Sequence, residues 1–131
     1  MNREELIKTA YSAMKKAYSP YSHFKVGAAI LTEDGLIYSG CNVENASYGA
    51  TICAERCAAM KAVSEEHAIF KAIAIVSSSE EFTYPCGICR QFLAEFFAED
   101  GIIILHDKKQ GILELPFWDE IPHTFTKNSI K

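Results

Sequence analysis

The chain has 131 residues, of which 49% are hydrophobic and 23% are charged, and its formal net charge is −4. This length and composition predict one globular domain over residues 1–131, with enough apolar residues to form a core. The acidic balance argues against nucleic acid as a partner, and the lack of any apolar run near ~18 residues argues against a membrane partner.

Hydrophobic periodicity and turn signals predict helices and strands in the order α-β-β-α-β-α-β-β. Asn2, with Glu5 three residues later, resembles a capping box in its Asn form and starts the first helix. That helix ends before Pro20, since a proline disfavours helix in the residue before it. The predicted elements are helices over 3–17, 54–64 and 86–97, strands over 24–30, 36–43, 69–76, 102–105 and 112–115, and a helical turn over 116–121.

This order predicts a three-layer α/β/α domain around a mixed five-stranded sheet. The turn between the last two strands covers only residues 107–111. Five residues can close a hairpin, whereas a parallel crossover needs a dozen or more. We therefore expect the last strand to run antiparallel to the strand before it.

Two segments have the spacing of metal ligands, namely Cys-Ala-Glu at 53–55 and Pro-Cys-Gly-Ile-Cys at 85–89. Three thiolates can hold one Zn²⁺ and leave its fourth position for water, whereas a structural zinc site is closed by four protein ligands. With the Glu55 carboxylate beside that open position, the pattern indicates a catalytic site. The candidate zinc ligands are Cys53, Cys86 and Cys89.

Both segments lie where a predicted loop turns into a helix. Free N–H groups and the positive end of the dipole at a helix N-terminus lower the pKa of a thiol and favour the thiolate. Three thiolates leave the zinc centre with a net negative charge, which weakens its activation of water. Arg56 can donate to the sulfurs and restore some of that acidity, or it can form an exposed salt bridge. Position alone leaves these two roles about even.

Cys57 supports a competing interpretation. It lies four residues after Cys53 on one helix face, so these two residues and the pair at 86 and 89 can close a four-thiolate structural site. In a four-thiolate site Pro85 and Glu55 would have no role, whereas a catalytic site of this pattern is expected to contain both. We therefore favour the catalytic interpretation. Under it, Cys57 and Cys41 are small buried residues. Five cysteines, an odd number, and an N-terminus without a signal peptide's apolar core fit a reducing cytoplasm.

The chain resembles the short, single-domain cytidine deaminases, which are known for a zinc signature of this kind. The resemblance implies a zinc-dependent hydrolytic deamination of cytidine and deoxycytidine to uridine and deoxyuridine in pyrimidine salvage. It also implies a nucleoside as the small-molecule partner, one Zn²⁺ per subunit and a homotetramer. The matching segments are 17–22, 24–29, 40–46, 53–56 and 85–91. Cys57 and Tyr84 depart from the family pattern.

The resemblance also assigns roles to single residues. Glu55 is the catalytic proton shuttle and not a zinc ligand, and Arg56 is assigned to the thiolates. Asn42 and Glu44 hold the ribose hydroxyl. The remaining residues implied to bind substrate are Phe24 and Ala54 beside the nucleoside, Asn45, Ala46 and Tyr48 reaching a neighbouring subunit's site, and Phe125 over a neighbour's pyrimidine ring.

Two other kinds of deaminase share the zinc motif. Enzymes that act on polynucleotides usually need a basic groove and carry a helix before a parallel last strand, which the net charge and the turn at 107–111 disfavour. Blasticidin-type deaminases share the antiparallel ending, but the run Asn-Val-Glu-Asn-Ala at 42–46 favours cytidine. A non-enzymatic four-cysteine zinc module is the alternative from a different class.

Overall fold

A computed structural model describes residues 1–130 and shows three α-helices and five strands in the predicted order. The helices are α1 (Arg3–Met14), α2 (Ala54–Ser64) and α3 (Gly87–Ala94). The strands are β1 (Val26–Thr32), β2 (Ile37–Cys41), β3 (Phe70–Ser77), β4 (Phe97–Asp107) and β5 (Gly111–Pro116). Among the described residues, no helix combines the length and the apolar character needed to cross a membrane.

The five strands form one mixed sheet in the order β2-β1-β3-β4-β5. Only β3 and β4 pair in parallel, and α3 lies in the crossover between them. The other three pairings are antiparallel. The hairpin of β4 and β5 begins with Asp107 opposite Gly111, so the predicted antiparallel ending is confirmed.

Helices cover both faces of the sheet and give the predicted three layers. One apolar core lies between the sheet and the pair α2 and α3, and a second lies between the sheet and α1. Neighbouring residues of β1 enter different cores, Ala28 and Ile30 on the α2 side and Ala29 on the α1 side. We predicted β1 from an alternation of residue types, but it is buried on both faces because it is an interior strand covered twice.

Two glycines let the helices approach the sheet closely. A Cβ on Gly27 would overlap the carbonyl oxygen of Ala10 in α1. A Cβ on Gly40 would lie 2.7 Å from the carbonyl oxygen of Ala54, in the first turn of α2. Real Cβ atoms do not approach backbone so closely, and Gly40 therefore fixes how near the start of α2 sits to β2.

Two helices, α1 and α3, end earlier in the structure than predicted. α1 stops at Met14 and not at residue 17, because Tyr18 bonds across to the segment after β2: its N–H donates to the carbonyl oxygen of Asn42 at 3.0 Å. The Asn2 side chain caps α1 as expected, accepting from the Glu5 N–H at 3.0 Å.

The third helix was predicted to carry Phe97, but α3 ends at Ala94 and Phe97 begins β4. Phe97 pairs with Phe70 of β3 and stacks on Phe117 with ring centroids 4.2 Å apart. Strand pairing and aromatic packing therefore override the helical spacing of the phenylalanines in this segment.

Candidate active site

The three predicted ligand cysteines lie together at the start of two helices. Cys53 and Cys86 are the residues that precede α2 and α3, and Cys89 lies in the first turn of α3. Neither preceding cysteine spends its side chain on a capping hydrogen bond. The three sulfurs lie within 4.8 Å of one another, and Cys53 Sγ is 3.8 Å from Cys86 Sγ. Sulfurs about 2.3 Å from a tetrahedral zinc ion are separated by about 3.8 Å, so the spacing suits zinc.

Cys57 does not join this cluster. Among the described residues, Cys53, Cys86 and Cys89 are the sole group of three or more potential ligands close enough to share a metal ion. Cys57 instead lines a separate cavity of about 170 Å³ with Cys41, at the edge strand β2. The four-thiolate arrangement therefore has no geometric support. The prediction that Cys41 and Cys57 are buried is wrong, since both are partly exposed: Cys41 lies on β2, an edge strand of the sheet, and Cys57 lies beside it in α2.

The thiols of the cluster differ in acidity. A hydrogen bond from Cys89, followed by bonds from Arg56 and Cys86, lowers the pKa of Cys53 to about 5. The same bond to Cys53, and then burial, raises the pKa of Cys89. One thiolate is thus present at neutral pH without a metal, and a bound dication favours deprotonation of the others.

Arg56 lies against the thiol cluster. Its Nη2 is 3.7 Å from Cys53 Sγ and 3.4 Å from the Thr51 carbonyl oxygen. Its Nε is buried and has no hydrogen-bond partner among the described residues. A guanidinium held beside sulfur with a spare buried donor suits a centre of net negative charge. This placement matches the thiolate role, not the exposed salt bridge.

Glu55 lies in the first turn of α2 beside the cysteines and is 4% exposed. Burial, with a further contribution from the nearby Cys53 charge, raises the pKa of Glu55 to about 7. A carboxyl group with a pKa near the working pH can both accept and release a proton. The position of Glu55 therefore provides a general acid and base next to the thiol cluster.

A cavity of about 200 Å³ opens over this corner of the molecule. Six predicted residues line it, namely Phe24, Asn42, Cys53, Ala54, Glu55 and Cys86. Four further residues also line it and were not predicted as site residues, namely Val26, Thr51, Thr83 and Tyr84. Thr51 and the pair at 83–84 lie within three residues of a predicted ligand in the chain, which is the signal that could have identified them.

Asn42 is buried at the rim of this cavity and holds the chain that carries Phe24. Its Oδ1 accepts from the Val26 N–H at 2.9 Å, and its Nδ2 donates to the Phe24 carbonyl oxygen at 2.7 Å. A carboxamide has two donors and two lone pairs, so one of each remains for a ligand. Asn42 can therefore position Phe24 and still bind a hydroxyl group.

Glu44 lines a second cavity of about 270 Å³ that shares Thr51 with the first. Its carboxylate accepts from the N–H groups of Tyr21 and Ser22, at 3.0 and 3.1 Å, and from the Ser22 hydroxyl. These hydrogen bonds lower the pKa of Glu44, with the largest contribution from the Ser22 hydroxyl and smaller ones from the backbone N–H groups. The residue is thus a fixed negative charge.

The other predicted residues lie outside the first cavity. Tyr48 is 76% exposed and lines the second cavity, where its ring meets that of Tyr21 edge-on. Asn45 and Ala46 are exposed in the same loop. Phe125 is 60% exposed, and its carbonyl oxygen accepts from Gln91 of α3 at 2.9 Å. None of these four residues lines the cavity beside the thiol cluster.

Comparisons with known proteins point to one family. The family model described as "Cytidine and deoxycytidylate deaminase zinc-binding region" matches residues 1–105. A cytidine deaminase of Sporosarcina psychrophila is 45% identical over 99% of this chain and 96% of its own length. A probable cytidine deaminase of Dictyostelium discoideum is 54% identical over 82% of this chain and 76% of its own. The crystal structure of cytidine deaminase from Burkholderia pseudomallei superposes with a TM-score of 0.90 at 41% identity, covering 95% of this chain and all of that one.

Proposed function

The chain belongs to the cytidine and deoxycytidylate deaminase family, and on that basis we propose that it deaminates cytidine and deoxycytidine hydrolytically. The products are uridine or deoxyuridine and ammonia, a reaction of pyrimidine salvage. The observation that carries the proposal is the buried Glu55, which lines a cavity beside a cluster of three thiols, two of which line the same cavity. The five free cysteines support a reducing cytoplasm as the place of action.

The residues present fit one zinc ion per subunit. The donor set is three thiols within 4.8 Å of one another, and Arg56 lies beside them with its Nη2 3.7 Å from Cys53 Sγ. Cys53, Cys86 and Cys89 would hold the ion. When bound, zinc supplies the Lewis acidity that makes water a nucleophile at neutral pH.

Glu55 performs the proton transfers that the deamination of cytosine requires. It takes a proton from the attacking water and gives one to the ring nitrogen next to C4. It then takes the remaining water proton from the hydroxyl group at C4 and delivers it to the departing amine, so that water and cytidine yield uridine and ammonia. Both protonation states of Glu55 are accessible because burial places its pKa near 7. Burial also keeps bulk water from competing for these protons.

The two cavities support a nucleoside as the substrate. Phe24 and Ala54 provide apolar contacts for the base, and Asn42 and Glu44 provide polar groups for the sugar hydroxyls. Among the described residues, neither cavity is lined by Lys or Arg, and Glu44 is a fixed negative charge. A 5′-phosphate placed near that carboxylate would meet repulsion without compensation, so we expect nucleosides to be preferred over nucleotides.

We further propose that the site is completed by another copy of the chain, in a homotetramer. The exposure of Tyr48 and Phe125 supports this proposal, because large aromatic side chains at the surface are typical of protein interfaces. The polar loop at 45–46 leads into Tyr48 and is exposed with it. On this view these residues reach the nucleoside of a neighbouring subunit.

The proposed activity is tested by an absorbance assay on cytidine and deoxycytidine, with zinc content measured on the same sample. Glu55→Gln should abolish deamination and retain zinc, because a proton carrier is lost but no ligand is. Cys53→Ala should lose zinc and activity together, whereas Cys57→Ala, the matched control, should keep both. A wild-type protein that binds zinc but releases no ammonia from either nucleoside would refute the proposed function.

A further inference from the structure

The hydroxyl group of Ser22 lies between two residues assigned to the substrate. It donates to one carboxylate oxygen of Glu44 and accepts from the backbone N–H of Phe24 at 3.0 Å. A serine hydroxyl has one donor and two acceptor sites, so these two bonds use its donor and one acceptor together. One small polar group thereby connects the sugar-facing carboxylate to the chain that places Phe24 in the cavity.

The backbone around Ser22 needs such support. His23, between Ser22 and Phe24, has φ of 59°, in the left-handed region that residues other than glycine adopt uncommonly. A conformation of this kind persists only where its surroundings enforce it. Here the His23 N–H donates to the Ser19 carbonyl oxygen at 3.0 Å, and the Ser22 hydroxyl holds the next N–H. Ser22 thus fixes the direction in which the chain leaves the turn towards Phe24.

We propose that Ser22 is a positioning residue that holds Glu44 and Phe24 in the arrangement that binds a nucleoside. This inference rests on the proposed function, in which Glu44 contacts the sugar and Phe24 the base. Without the hydroxyl, one Glu44 oxygen loses its donor and the Phe24 N–H loses its partner. Both groups must then be ordered when substrate binds, which weakens binding without altering the chemistry at Glu55. Ser22 is itself exposed, so its truncation leaves the core intact.

The test compares Ser22→Ala with the wild-type zinc enzyme. We expect the KM for cytidine to rise about tenfold while kcat stays within about twofold, because uniform binding is lost and not transition-state stabilisation. The dissociation constant of uridine, measured by calorimetry, should rise by the same factor. Ser22→Thr retains a hydroxyl and should restore both values. The matched control is Ser79→Ala, since the Ser79 hydroxyl accepts from an N–H two residues later, that of Glu81 at 3.1 Å, but contacts neither Glu44 nor Phe24.

A double-mutant cycle shows whether Ser22 acts through Glu44. In a Glu44→Ala background, Ser22→Ala should weaken uridine binding much less than it does in the wild type, because the two residues share one interaction. An unchanged KM and uridine affinity in a folded, zinc-loaded Ser22→Ala protein would overturn the inference. So would an equal effect in Ser79→Ala, additivity with Glu44→Ala, or a loss confined to kcat. An inactive wild type would instead refute the proposed function.

Discussion

Burial of the Glu55 carboxyl group should give the metal-free protein a contribution to stability that is lost as the pH rises. The pKa of Glu55 is about 7 in the fold, against an ordinary value of 4.5. The folded state therefore holds this proton more tightly than the unfolded chain does. Its contribution to stability is fully present below pH 4.5 and is lost as the pH rises through 7. At about 1.4 kcal/mol per pH unit, the loss amounts to about 3 kcal/mol between pH 4.5 and 8.

The Glu55→Gln variant removes this titration and keeps the shape of the side chain. We expect the free energy of unfolding of Glu55→Gln, relative to wild type, to increase by about 3 kcal/mol over the same pH range. Any constant cost of the buried amide shifts the whole curve and leaves its slope unchanged.

The measurement is urea unfolding of both proteins at one protein concentration with a chelator present, followed by circular dichroism. Glu99→Gln, at an exposed position of β4, controls for the loss of one negative charge. Parallel stability curves for wild type and Glu55→Gln across this range would show that burial does not raise the Glu55 pKa.

Three further predictions concern the packing, the metal and the neighbouring subunit. Gly40→Ala should lower the free energy of unfolding by about 3 kcal/mol, because the new Cβ meets the α2 backbone. Gly49→Ala places its Cβ in open space and should change this free energy by less than about 0.5 kcal/mol. Equal urea midpoints for the two variants would contradict the prediction. Arg56→Ala should weaken zinc binding by about 10- to 100-fold in a chelator competition, and an unchanged affinity would exclude its action on the thiolates. Deleting 123–131 should cost activity but not zinc, and mixing that protein with Glu55→Gln chains should restore some activity; a mixture that stays inactive after verified subunit exchange would refute the shared site.

Much of the fold follows from local signals in the sequence. The helix formers after Cys53 predicted a helix from Ala54 to about Ser64, where α2 lies, and the short turn at 107–111 predicted the direction of β5. The junction of α3 and β4 was misplaced because phenylalanines at 96 and 97 fit a helix face as well as a strand. Tertiary pairing with Phe70 decides between the two, and a single sequence does not contain that information.

The candidate site likewise has one part that the sequence predicted and another that it did not. The two motifs at 53–55 and 85–89 predicted the three ligands, because the spacing within each motif is a local property of the sequence. The cavity wall at Thr51 and Thr83 and the bonds made by Ser22 were not predicted. Closeness to a predicted ligand in the chain could have identified Thr51 and Thr83, whereas the role of Ser22 arises only when it meets Glu44, 22 residues away in the chain.

The place of α3 in the crossover from β3 to β4 has a consequence for the order of events during synthesis. Two of the three thiols, those of Cys86 and Cys89, belong to this crossover, and its far end is fixed when β4 pairs with β3. A parallel pair closes a long loop and forms slowly compared with a hairpin. A ribosome must therefore release the chain beyond Asp107 before the thiols can converge. We expect a nascent chain to acquire tight zinc binding late and in one step, after the second half of the sheet has closed.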